Sequence, residues 1–163
     1  MGVLHVVTET EWEICIRYGQ LRNDANRKIG RKDNRTAGFD SRSIDVVGVA
    51  GEMAVSKVTG IPWTGRFTPA SKLTEWLKKP QPDLCEDVEV RTRTKPWHQL
   101  LVHKNDPLSW RYVLVRLVEA NTLDIVGWAH GDEVKQEKFW NPMLPYPAYG
   151  YPNLFLRPIE ELT

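Results

Sequence analysis

The feature that most constrains this chain is a switch of hydrophobic period near residue 86. Before it, apolar residues recur at helical spacing. After it, EDVEVRTRT (86–94) alternates strictly, with Val88, Val90, Thr92 and Thr94 on one face and Asp87, Glu89, Arg91 and Arg93 on the other. One face belongs to a core and the other is charged. Helices first and strands afterwards, in a chain without internal repeats, point to an α/β or α+β domain.

Upstream of the switch, an opening strand at 3–7 leads to Thr8 and Thr10, each followed three residues later by a glutamate, Glu11 and Glu13. That spacing lets a hydroxyl and a carboxylate satisfy the open amides of a helix start. Ile14, Tyr18, Leu21 and Ala25 then recur on one helical face, and the pattern dissolves in a polar stretch, 26–43, expected as a mobile basic loop. A second helix is expected over 44–58 (IDVVGVAGEMAVSKV), ended by Gly60 with Pro62 beyond it. The segment TPASKLTEWLKKPQP reads as a short amphipathic helix with Leu73, Trp76 and Leu77 inward. Downstream, 98–103, 110–119 and 123–129 look like further strands, joined by turns at Asn105-Asp106-Pro107 and Glu119-Ala120-Asn121, which predicts an antiparallel meander. GDEVKQEKFW is expected as a short helix, and the Pro- and Tyr-rich remainder as a tail with a last strand at 153–156. The expected organisation is a single domain over 1–163: strand, helix and basic loop to residue 43, a core over 44–140, and the tail over 141–163.

Composition narrows the class. A chain of 163 residues with 41% hydrophobic content and seven Trp is of ordinary size for one domain with a buried core. No apolar run approaches the ~20 residues that span a bilayer, and MGVLHVVTETE lacks the basic start and apolar centre of a secretory signal, so a cytoplasmic protein is expected. Cys15 and Cys85, with four scattered His, are too few for a disulfide framework or a structural zinc site. The formal net charge of +1 identifies no partner, but its distribution is uneven. Arg22, Arg27, Lys28, Arg31, Lys32 and Arg35 crowd one stretch against Asp24 and Asp33, and Arg91, Arg93, Lys95 and Lys104 share a second with no acidic residue but with His98 and His103. Each is a solvated face or, taken with the carboxylates between them, a phosphate-tracking surface.

Glu52 is the only charged residue between Asp45 and Lys57, in the middle of an apolar or small helix. Such a carboxylate needs a partner, either an arginine such as Arg91 or Arg93 or a ligand. Glu89 and Arg91, two apart on one strand, project side by side. Asp87 lies on the same face, and Asp83 sits in the turn leading in. Hard oxygen donors beside a cation suit Mg²⁺ (or Mn²⁺), which keeps several waters and takes few protein carboxylates. The neighbouring guanidinium would then neutralise charge on a phosphate. The competing reading is an exposed ladder of alternating Glu and Arg. His98, beside Trp97 in a turn, is a surface residue or a general base. Tyr146, Tyr149 and Tyr151 either stack on bases or, the reading preferred for aromatics between prolines, pin the tail to the core.

A helix carrying GE, then PD, a few residues and E-x-R resembles the PD-(D/E)xK nuclease superfamily. More closely, GVAGEMAVSKVTGIPW, PDLCEDVEVRTR, HQLLVHKNDP, YVLVRLV and IVGWAHGDE, in that order over about 48–156, look like small nuclease-like proteins of bacteriophages. The resemblance implies a restriction-endonuclease-like α/β (α+β) core, with a mixed, mostly antiparallel sheet flanked by helices. It also implies a Mg²⁺-dependent nuclease that hydrolyses phosphodiester bonds in DNA, in a host cytoplasm if phage-encoded. RNA is not excluded, and a homodimer or another protein partner stays open. Its site would comprise Glu52 as a metal-shell or water-orienting residue, Asp83 or Asp87 with Glu89 as metal ligands, and Arg91 where the family has Lys. Arg91 cannot lose its proton, so it could stabilise a phosphate but not act as a base. Arg27, Lys28, Arg31, Lys32, Arg93, Lys95 and His98 would contact nucleic acid. The alternative is a weak or inactive nuclease fold serving as a nucleic-acid-binding or protein-interaction module.

Overall fold

The computed structural model describes residues 2–28, 41–63, 65 and 81–163. Arg31, Lys32 and nearly all of the expected amphipathic helix, including Leu73, Trp76 and Leu77, lie outside the described residues. Strand β1 (Val3–Val6) runs into helix α1 (Glu9–Lys28). The turn between them is closed by Thr8 and Glu11: the Glu11 amide donates to Thr8 Oγ1 at 3.2 Å and the Thr8 amide to Glu11 Oε2 at 2.7 Å. Of the two expected capping pairs, Thr8 and Glu11 form the cap. The helix continues to Lys28, three residues into the stretch expected as loop.

The buried face of α1 agrees with expectation at Ala25 and, half-buried, at Tyr18, and differs elsewhere. Glu11, Cys15, Gly19 and Asn23 point inward, while Ile14 and Leu21 are 39% and 40% exposed. The reason lies at Gly19, where a Cβ would stand 2.6 Å from Val46. The missing side chain lets α1 lie closely against helix α2 (Ser41–Thr59), and that approach selects the face. Helix α2 begins three residues before its expected start and ends at Gly60, whose φ of 77° needs no Cβ relief and whose N–H donates to Ser56 O at 2.9 Å.

Strands β2 (Val88–Arg93), β3 (Leu100–His103), β4 (Arg111–Glu119) and β5 (Thr122–His130) follow, then a single-turn helix α3 (Gly131–Val134), β6 (Trp140–Asn141) and β7 (Ala148–Tyr151). The expected meander is not formed. The main sheet has the order β1-β5-β4-β2, with β2 parallel to β4 and the other neighbours antiparallel. The β3 strand leaves this sheet and joins a second one, β3-β7-β6. A parallel pair needs a crossover, and residues 94–110 supply it. Leu100 and Val102 bury against Tyr112 and Leu114 instead of pairing beside them. In the tail, the strand expected at 153–156 is a 3-10 turn (Asn153–Phe155), and the tail's longer strand is β7, stopped by Pro152, which has no amide to continue a ladder.

Alternation along β4 divides the core in two. Val113 and Val115 join Val88, Val90, Leu123 and Ile125 under Val49, Ala50 and Met53 of α2, while Tyr112 and Leu114 join Leu100, Val102, Ala129 and Tyr151 on the far side. The architecture is a mixed α+β stack of two helices, a mostly antiparallel four-stranded sheet and a three-stranded sheet. Two of the tail tyrosines pack onto the segment before the tail, with Tyr149 4.8 Å from Trp140 and Tyr151 5.1 Å from Phe139. Among the described residues no helix is long and apolar enough to cross a membrane.

Helix α2 reaches the sheet because of one glycine. A Cβ on Gly51 would lie 1.9 Å from Thr92 Oγ1, whereas one on Gly48 meets nothing within 4 Å. Gly51→Ala is therefore expected to cost about 1–3 kcal/mol of stability by forcing helix and strand apart. Gly48→Ala should be neutral or stabilising by up to about 1 kcal/mol, through better helix propensity. Urea unfolding of the two variants beside the parent checks both.

Candidate functional site

The site is built on the free edge of β2. Because β2 pairs with β4 on one side only, the amides and carbonyls of Val88 and Val90 face outward and need partners from elsewhere. Leu84 takes both groups of Val88, with N···O distances of 2.9 and 3.2 Å, and Asp83 Oδ2 accepts the Val90 amide at 2.9 Å. Leu84 also bridges to Trp63 beyond the end of α2. The tight reversal into β2 puts Cys85 at φ 44°, a left-handed conformation rare for a side chain bearing a Cβ. The Pro82-Asp83 dipeptide is thus fixed to the strand edge by the hydrogen bonding that an edge strand requires.

Glu52 approaches that edge from the helix layer. It is 3% exposed, and its carboxylate is gripped in a fork by Arg22 of α1, at 2.5 and 2.8 Å, with the Trp63 indole N–H donating at 3.2 Å. Its expected partners, Arg91 or Arg93, do not hold it. Glu89 and Arg91 project from the opposite face of β2 to Val88 and Val90, the face shared with Tyr112, whose ring lies 5.8 Å from the Arg91 guanidinium. Arg91 donates to Asp106 at 2.8 Å and lies 3.5 Å from Glu89. Asp106 also accepts the His103 amide at 2.7 Å, so the turn expected at 105–107 doubles as the anchor of Arg91.

Glu52, Asp83 and Glu89 straddle the edge closely enough to feel one another's charge. Burial pushes the Asp83 carboxyl well above its ordinary value, and Glu52 and Glu89 push it further, against the Val90 amide and Arg22. Burial raises Glu89 to about 6; Arg91 pulls it down while Glu52 and Asp106 add to the rise. Arg91 stays protonated despite its burial because Glu89, Asp106 and Asp83 surround it. Asp87, the other aspartate offered by the sequence, does not join this group. Arg111 holds it with two bonds of 2.8 Å, takes Leu162 O with another N–H, and together with Cys85 keeps the carboxyl below its usual range. A neighbouring arginine decided between two aspartates that spacing alone left equal.

The predicted phosphate contacts divide. Arg93 lies on β2 in register with Arg116 of β4, and the turn after it carries Lys95 and His98. Burial lowers the His98 pKa, with Arg93, Lys95 and Arg116 adding to the effect, so these four form one basic cluster. Arg27 and Lys28 fall in the last turn of α1, away from this strand in sequence. Sequence reasoning placed Arg22 in a basic, phosphate-contacting stretch rather than on Glu52, and it missed Trp63 and Asp106 as members of the site. A signal for Arg22 existed: it lies seven residues after Cys15 and three after Gly19 on the face that α1 buries. The roles of Trp63 and Asp106 depend on turns that no periodicity reveals. Among the described residues, no three His, Cys, Asp or Glu side chains are gathered closely enough to hold a metal ion. Fold and site thus define a mixed α+β protein with an acidic and arginine-lined centre on an edge strand. No family model, curated protein or solved structure matches the chain.

The raised carboxyls carry a stability consequence. Glu89 titrates at about 6 in the fold against 4.5 when unperturbed, so between those values the folded state binds more protons than the unfolded state, and its stability falls as pH rises. Glu89→Gln removes that loss. It is expected to raise stability at pH 7 by about 1–2 kcal/mol and to flatten the pH dependence between about 4.5 and 6. Denaturation midpoints measured across that range test this.

Proposed function

We propose that the protein is a metal-dependent nuclease that hydrolyses phosphodiester bonds in DNA, of the kind bacteriophages encode, with a PD-(D/E)xK-like arrangement of Asp83, Glu89 and Arg91. One contrast carries this reading. The carboxylates that serve only structure are matched: Glu11, despite burial, is held at about 2 by Lys57, Thr8 and His5; Asp87 sits in the Arg111 fork; and Glu133 sits in that of Arg157. Asp83 and Glu89 are the described carboxylates whose pKa is raised, and the Glu89 charge contributes to the rise at Asp83. A fold keeps such unbalanced acidic charge, at a cost in stability, where a cation or a reaction uses it.

The donor set fits Mg²⁺ or Mn²⁺ in chemistry: hard carboxylate oxygens, few in number, as suits an ion that takes much of its shell from water and substrate oxygens. Asp83 and Glu89 would hold the ion, which when bound supplies Lewis acidity and a more acidic water. The chain's own groups do the rest. Arg22 and Trp63 fix the Glu52 carboxylate so that it can orient a water without swinging away. Arg91, anchored by Asp106 and with its Nε shielded and unpaired, offers a permanent positive charge to a phosphate oxygen. Arg93 and Lys95 extend that charge along the strand and its turn.

Two observations favour a second reading, an inactive nuclease fold acting as a binding or protein-interaction module: Arg22 already pairs with Glu52, and an arginine stands at the family's lysine position. Incubation with single-stranded, duplex and branched DNA and with RNA, in Mg²⁺, Mn²⁺ or chelator, separates the two. The nuclease reading expects metal-dependent cleavage that falls about 100-fold or more in Asp83→Asn and Glu89→Gln. It persists or rises in Arg91→Lys, and is kept by folded Asp87→Asn. A folded wild-type protein that cuts no substrate, with no activity created by Arg91→Lys, overturns it.

A further inference from the structure

We propose that Arg93, Lys95, Trp97, His98 and Arg116 form a subsite for a phosphodiester and its unstacked base, which makes single-stranded nucleic acid the preferred ligand. The inference deepens the nucleic-acid part of the preceding reading and is independent of whether cleavage occurs. Its first support is a charge arrangement that the fold makes unavoidable. Parallel pairing sets Arg93 directly beside Arg116 on the same face of the sheet, two like charges as cross-strand neighbours, which destabilises a bare sheet. The crossover turn then folds back over them: the Arg116 Nε donates to His98 O at 3.1 Å, and the His98 amide to Lys95 O at 3.2 Å. Arg116 Nη2 and His98 Nδ1 are shielded from solvent and have no hydrogen-bond partner among the described residues. Asp124 lies in register with Arg116 on β5, and its Oδ1 has no donor among the described residues. A buried donor left open, as Arg116 Nη2 is here, costs free energy unless a ligand meets it. The positive charge gathered here favours an anion with several oxygens, and a phosphodiester is the anion a nuclease site would bring. Arg93 follows Arg91 on one face of β2, about 7 Å further along the strand, so the phosphate it meets is the neighbour of the one at Arg91.

The second support is apolar. Trp97 is 70% exposed at the tip of this turn, and yet it is not loose: the Lys95 ammonium lies 5.9 Å from its ring centroid, and the His98 ring packs edge-on at 6.1 Å. An indole held upright by a cation and an imidazole, beside a phosphate site, presents a stacking surface for a base. In a duplex the base faces are already stacked on each other, so such a platform discriminates in favour of an unpaired strand.

The test is binding without cleavage. Fluorescence anisotropy of labelled oligo(dT), oligo(U) and a hairpin duplex of equal length, in EDTA, reads affinity and its salt dependence. The expected result is tighter binding of oligo(dT) or oligo(U) than of the duplex, the two single strands deciding between DNA and RNA. Trp97→Ala should weaken single-strand binding about tenfold or more and leave duplex binding little changed. Arg116→Gln should reduce the salt slope by about 0.7–1 for every sequence, while Arg116→Lys keeps it. Trp97 lies on the surface, so its variant tests the idea even if Arg116→Gln fails to fold. The proposal is overturned if folded Trp97→Ala binds oligo(dT) and oligo(U) as the wild type does, if the duplex binds at least as tightly as the single strands, or if no salt-dependent binding occurs. A protein that binds in this pattern but cuts nothing would retire the nuclease and keep the subsite; one that cuts while Trp97→Ala binds normally would do the reverse.

Discussion

The candidate site depends on the hydrogen bond from the Val90 amide to the Asp83 carboxylate, because that bond answers a demand created by the topology. A strand paired on one side leaves alternate backbone groups facing out, and in a partly buried position they must be met. Here the preceding turn meets them, and in doing so it carries an acidic side chain to the rim of the strand that bears Glu89 and Arg91. The Cys85 backbone, in its left-handed conformation, and the Asp87–Arg111 fork hold that turn in place. Glu52 completes the group only because Gly51 lets α2 sit directly on Thr92. The acidic centre is thus a by-product of how one edge is closed.

Two populations of carboxylate coexist in the fold. Glu11, Asp87 and Glu133 each have a full complement of donors or cations, and their protons are held off below the usual range. Asp83 and Glu89 are desolvated with too little compensation, and Glu52 is matched by the long reach of Arg22 from another helix and by the Trp63 indole. A buried ion pair of this kind contributes little net stability, but losing one partner leaves a costly charge. The arrangement therefore ties the acidic rim to the packing of α1 on α2, since Arg22 of α1 reaches Glu52 of α2 across the contact in which Gly19 lies close against Val46. Electrostatics and helix packing here are one constraint, and the first layer of the fold supports the chemistry of the second.

Much of the element pattern could be read in one dimension. The strict alternation of 88–93, the helix through Glu52, the Thr8–Glu11 cap and the turn at 119–121 are local: each depends on a period or a pair of residues a few positions apart, and each is found where those signals put it. The juxtaposition of Glu89 and Arg91 follows from the same alternation. Pairing was not legible, because alternation says which face a residue takes but not which strand lies beside it. The segment at 100–103 has the pattern of a meander strand and finds its partner in the tail instead. The buried face of α1 was misread for a related reason: Ile14 and Leu21 outrank Cys15 and Gly19 in hydrophobicity, but close helix approach favours small residues.

The sequence by itself determined the charged face of β2, the isolation of Glu52 in a helix of small and apolar residues, and the two basic stretches, because composition and period are properties of the chain. Tertiary structure alone decided that Asp83 and not Asp87 joins Glu52 and Glu89, that Arg22 and not Arg91 holds Glu52, and that Arg116 stands beside Arg93. Each of these is a contact between segments tens of residues apart or a choice between equal neighbours. Such choices are settled by strand order and helix approach, which depend on the whole core finding a common packing and are written in no single stretch of the chain.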